Sequence, residues 1–152
     1  MAVMSDVQVR RTMQYYLPML LAIGSNIFYH LFLKLIDSQA NPVLSLFFTY
    51  LTAASISLII YATVYQSASF RQDITHLNWP CISLGIAIVF LEFGFILAYR
   101  AGWQISTAAI FSNATIGIVL IPIGAMFFKE NLDMTKLSGI ALCVLGLTLI
   151  NR

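Results

Sequence analysis

The chain has 152 residues, of which 60% are hydrophobic and 9% charged, against about 45 to 50% and about 25% in an average soluble domain. A soluble domain of this length cannot hide that much apolar surface, and a formal net charge of +2 from eight Lys and Arg against six Asp and Glu excludes the clustered basic footprint of a nucleic-acid binder. With a mean hydropathy of +0.88, the composition describes an all-α integral membrane protein whose main solvent is lipid.

In chain order, residues 1–14 form a short cytoplasmic segment carrying Arg10 and Arg11. The apolar run after it lacks a small-x-small cleavage site, so it is expected to be a retained span and not a removable signal. A bilayer core about 30 Å thick needs about 20 apolar helical residues. Cutting the chain where charge, Pro, Asn and Gly interrupt it gives five such segments, at residues 15–36, 42–65, 80–99, 104–128 and 134–150. Together they predict a single five-helix transmembrane domain over 15–151. The links are short, which makes successive helices antiparallel neighbours. The longest, residues 66–79, holds Arg71, Asp73 and His76 and reads as a loop. Trp79 and Trp103 flank the third span, about 36 Å apart at helical rise, as interfacial anchors.

Arg10, Arg11, Arg71, Lys129 and Lys136 fall on one side of this arrangement and Lys34, Arg100 and Arg152 on the other. The positive-inside rule then places the N-terminus in the cytoplasm of a bacterial-type inner membrane. A bias of five to three leaves room for insertion in both orientations. Cys81 and Cys143 lie in or beside apolar runs and read as small core thiols. Neither they nor any other residues form a ligand cluster, so no metal or cofactor is expected.

Glu92, about two residues from the middle of the third span, is the most informative residue. A charge at that depth costs about 2.5 to 3.5 kcal/mol on insertion scales, and protonation relieves it. A carboxyl group that gains and loses a proton according to what else fills a cavity is the minimal part of a proton-coupled carrier. The plain alternative is a structural pair with His30, Lys34 or Arg100. Asn26, His30 and Lys34 are spaced i, i+4 and i+8, so they form one stripe on the first span. Tyr99 shares a face with Glu92 at i+7. Tyr99, Asn26 and His30, with Asn113 in the middle of the fourth span, are candidates for a substrate cavity; Tyr29, Phe90, Phe93 and Phe95 are weaker aromatic ones. Pro122 removes a backbone donor and predicts a kink in the fourth span. Gly139 and Gly146, one heptad apart, make a smooth strip for close helix packing within the chain or in a dimer.

The last third of the chain carries a recognisable layout. Tyr99-Arg100-Ala101-Gly102 closes one helix, Ser106-Thr107 opens the next, and Phe127-Phe128-Lys129-Glu130-Asn131-Leu132 ends it. A final helix then carries Leu137-Ser138-Gly139-Ile140-Ala141-Leu142 and Gly146. This resembles the end of an EamA-type half of the drug/metabolite transporter superfamily, with Glu130 at the acidic position of that family's turn. The Gly139 to Gly146 strip is similar to the dimer-forming last helix of small multidrug resistance transporters. Those proteins place their proton-binding glutamate on the first helix, where this chain has Asn26 and His30, so their mechanism does not carry over residue by residue.

The resemblance implies one half of an inverted pair, because such transporters build their site where two repeats meet. It therefore implies a homodimer, parallel or antiparallel, or a heteromer with a sister half. The expected function is export of a small metabolite, amine or drug coupled to protons. The rivals are a flippase subunit for a lipid-linked sugar and a membrane accessory subunit that binds a partner through Gly139 and Gly146. An enzyme is not expected: Glu92 is the only mid-membrane carboxylate, and no Ser and His have dyad spacing.

Overall fold

The computed structural model describes residues 2–65, 70–129 and 133–150. They form six helices: α1 (Ala2–Leu35), α2 (Pro42–Val64), α3 (Phe70–Thr75), α4 (Trp79–Arg100), α5 (Ile105–Phe127) and α6 (Met134–Ile150). No strand occurs among the described residues. Glu130, the acidic residue of the family-like turn, lies outside them.

Local chemistry explains the helix boundaries. The Asp37 carboxylate accepts a hydrogen bond from the Gln39 amide at 2.8 Å, turning the chain after α1. Asn41 then caps α2, its Oδ1 accepting from the Val43 and Leu44 amides at 2.9 and 3.2 Å, while Pro42 occupies a first-turn position where its missing donor costs nothing. Gly102, at φ +99°, makes the turn after α4 in a region that side chains avoid. Gln104 opens α5 from an extended conformation without a side-chain cap.

The chain divides into two units, Met1–Arg100 and Ala101–Arg152. In the first, α4 packs against both α1 and α2; in the second, α5 pairs with α6. Among the described residues few side chains are buried: Leu33, Leu46, Ile96 and Tyr99 with the polar His30 and Glu92 in the first unit, Ala108 in the second. Nearly all the large apolar side chains point outward. Lipid tails are as apolar as Leu, so nothing drives these residues inward.

Several expectations are revised. Four helices are long and apolar enough to cross a bilayer, over Met13–Leu35, Pro42–Val64, Trp79–Arg100 and Ile105–Phe127. The fifth segment is a helix of 17 residues, about 25 Å long at helical rise, so its crossing is not given by length. The 1–14 segment is helical: α1 begins at Ala2 and continues into the first span, which starts at Met13. The 66–79 loop contains the short helix α3, tied to α2 by the Tyr61 hydroxyl donating to Asp73 Oδ2 at 2.7 Å. Trp103 lies just past the end of α4 at Arg100, beyond the turn at Gly102, so helical rise does not measure its distance from Trp79. Its indole lies 5.7 Å from Phe111 of α5. Cys81 and Cys143 are exposed and not core thiols; in a protein whose outside is also apolar, a thiol gains nothing by facing in. Pro122 lies inside α5, as it does in the fourth predicted span.

Candidate functional site

The polar residues of the first unit gather on the face of α4 that carries Glu92, Ile96 and Tyr99, all three buried. Spacings of four and three put them on one stripe, with Tyr99 about 10.5 Å beyond Glu92 along the axis. Helix α1 supplies Tyr29, His30 and Lys34 against this stripe, and α2 supplies Tyr50.

The Tyr99 end is closed by direct bonds. His30, 5% exposed, shares a 2.8 Å hydrogen bond between its Nδ1 and the Tyr99 hydroxyl. The tautomer decides which of the two donates. The imidazole also stands edge-on to Phe95 at 4.9 Å and to Tyr29 at 5.1 Å. Lys34 donates from Nζ to the Tyr99 carbonyl at 3.1 Å and lies 5.2 Å from the Tyr99 ring centroid. Both interactions suit a cation at a helix C-terminus. Arg100 donates through Nη2 to the carbonyls of Asp37 and Ala40 at 3.1 and 2.6 Å, fastening α4 to the link between α1 and α2. Beside these groups is a cavity of about 320 Å³ lined by Lys34, Ser38, Tyr99 and Arg100 with Leu33 and Ile96.

The Glu92 end is different. Glu92 is 8% exposed, and its Oε2 has no hydrogen-bond partner among the described residues. The groups nearest to it are two phenols, Tyr50 on α2, directed at the carboxyl group, and Tyr29 on α1. The hydroxyls of Tyr29 and Tyr50 are themselves buried. Tyr50 also lines an apolar groove of about 370 Å³ between α2 and α4, with Leu46, Phe47, Val89, Phe90 and Phe93.

Of the residues singled out in the sequence, Glu92, Tyr99 and His30 therefore share one helix interface, with Lys34 and the aromatic candidates Tyr29 and Phe95. Asn26, one turn before His30, is exposed on α1. Asn113 is exposed on α5 in the second unit. Gly139 is exposed and Gly146 half-buried on α6, and a Cβ built on either meets nothing within 4 Å. The basic residues that could have paired with Glu92 bond at the opposite end of the stripe, through Tyr99 and the link carbonyls.

Sequence reasoning missed Tyr50. A signal for it exists. In α2 the hydroxyls of Ser45, Thr49, Thr52, Ser55, Ser57 and Thr63 all bond back to the carbonyl four residues earlier, the usual habit of these residues inside helices. A tyrosine cannot reach its own backbone, so Tyr50 must look to another helix. Compared with protein-family models, with characterised proteins and with solved structures, the chain matches none.

Proposed function

We propose that the protein is a multi-pass membrane carrier for a small molecule, a metabolite, amine or drug, coupled to protons through Glu92 and working as a dimer of such chains or with a sister half. One observation carries this reading: a carboxyl group lies buried in the middle of an apolar helix with an unbonded oxygen, flanked by phenols and not by a base. A structural carboxylate would be tied to a cation, since an unpaired buried charge is strongly unfavourable. A carboxyl group kept out of such a pair stays able to exchange its proton, and intramembrane ionisable residues mark ion pathways far more often than they serve packing. In this reading His30 and Tyr99 line the path beside Glu92, Asn26 and Asn113 face the substrate in the assembled carrier, and Gly139 and Gly146 pack the assembly. Protonation of Glu92 biases the carrier between states open to either side.

The test is charge movement on solid-supported membranes carrying the purified chain, screened against amines, amino acids, sugars and cationic dyes. A substrate-dependent current that Glu92→Gln abolishes is the expected result. Absence of current with every compound, from folded protein, overturns the reading.

The groove between α2 and α4 favours a second reading. Its lining is almost wholly apolar and would accept an acyl or prenyl chain beside Tyr50, as a flippase subunit for a lipid-linked sugar requires. Transfer of a fluorescent lipid-linked sugar between leaflets of proteoliposomes, without current in the screen, would select it.

A further inference from the structure

Two cations share one cavity at the Tyr99 end of the first unit. Lys34 on α1 and Arg100 at the end of α4 both line the space of about 320 Å³, together with Ser38 of the link, the buried Tyr99 and the apolar Leu33 and Ile96. Among the described residues no carboxylate lines it. Asp37, next to Ser38 in the chain, turns Oδ1 to the Gln39 amide at 2.8 Å, and Arg100 bonds the Asp37 backbone carbonyl and not its side chain. Lys and Arg at helix ends commonly snorkel outward into the head groups. Here both are held to the protein. Lys34 Nζ sits on the Tyr99 carbonyl at 3.1 Å and above the Tyr99 ring. The bonds of Arg100 both leave from Nη2 and go to neutral link carbonyls, so its Nη1 and Nε make no bond among the described residues.

We propose that this cavity binds a phosphate group, either the head of an anionic phospholipid or a free phosphate ion. The inference goes beyond the carrier reading and makes no use of Glu92. Charge is the first reason. A space walled by a guanidinium and an ammonium with no carboxylate opposite suits an anion, because like charges around one space repel until an opposite charge enters. Basic pockets between transmembrane helices take anionic lipid head groups. Shape then separates phosphate from carboxylate. A carboxylate offers two oxygens in one plane, whereas a phosphate carries oxygens at tetrahedral corners. Those oxygens can accept from the Lys34 ammonium, the Ser38 hydroxyl and the fork of Arg100 on different sides of one cavity. At about 320 Å³ the space is at the small end of ligand pockets, the scale of a head group.

The level in the membrane agrees. The apolar spans Met13–Leu35 and Trp79–Arg100 both end at this cavity, so in a bilayer it lies in the head-group layer, where lipid phosphates are. Ile96, one turn deeper on α4, gives the cavity an apolar floor beneath that layer.

The full chain in a maltoside detergent tests this by its unfolding temperature at fixed pH and ionic strength. One arm compares inorganic phosphate with acetate and chloride. The other compares phosphatidic acid with phosphatidylcholine added to the micelles. A saturable rise is expected with phosphate or with phosphatidic acid, and the arm in which it occurs tells a free ion from a lipid head group. Lys34→Gln and Arg100→Gln should each raise the half-saturating concentration at least fivefold. Ser38→Asp sets a carboxylate in the cavity from an exposed link position, where the fold is not at stake, and should raise it at least tenfold. Arg71→Gln, a basic residue that does not line the cavity, should leave it unchanged. Equal unfolding temperatures across each arm overturn the site. So does a rise that Ser38→Asp and Lys34→Gln leave unchanged, since the anion then binds elsewhere. Acetate acting as strongly as phosphate overturns the choice of anion. The carrier reading stands or falls separately, on the substrate current and its loss in Glu92→Gln.

Discussion

At the scale of single residues, the interface between α1 and α4 has a bonded end and an unbonded one, and substitutions at the two should behave differently. Tyr99→Phe removes the only hydroxyl bonded to the His30 ring and leaves a buried nitrogen without its partner. It should destabilise the fold by about 1 to 3 kcal/mol, read from reversible unfolding in mixed micelles. His30→Phe in the same chain should recover part of that loss, because no orphaned donor or acceptor then remains. Helical spacing alone put His30 on one stripe with Asn26 and Lys34, and Tyr99 on the face of Glu92. It could not show that they bond to each other, since 69 residues separate them and spacing rules act only within one helix.

At the scale of elements, helix existence was legible because apolar length and short polar links are properties of contiguous sequence. Boundaries were less so. The first helix begins well before its apolar part, since helix propensity does not need hydrophobicity. The turn at Gly102 separates Trp103 from α4, so helical rise does not measure its distance from Trp79. The entry to α2 depends on one side chain: Asn41 caps two amides, so Asn41→Ala should cost about 1 kcal/mol in the same unfolding measurement. Changing Gln104, which makes no side-chain cap at the start of α5, to Ala should leave stability nearly unchanged. For α6, at 17 residues, the length sits at the short limit for a crossing. Reporter fusions after the last residue test it. For a chain whose N-terminus is cytoplasmic, a fifth crossing puts the end of α6 on the other side, so alkaline phosphatase fused there should be active and green fluorescent protein dark; the opposite pattern would mean four crossings.

At the scale of the whole molecule, the sequence could find the long apolar helices but could not say which polar groups would meet, and this is why Tyr50 escaped notice. Its helix is apolar on every side, and lipid rewards outward and inward residues equally, so hydrophobic periodicity carries no direction here. One consequence follows from the Arg100 bonds to the Asp37 and Ala40 carbonyls. Together with the His30 and Lys34 contacts, they fasten α1, the start of α2 and the end of α4 to one another at a single level of the membrane. Below that level α4 packs against α1 and α2, and none of these backbone-fastening bonds lies there. The unit is thus lashed at one end, and a widening at the other would leave the knot intact.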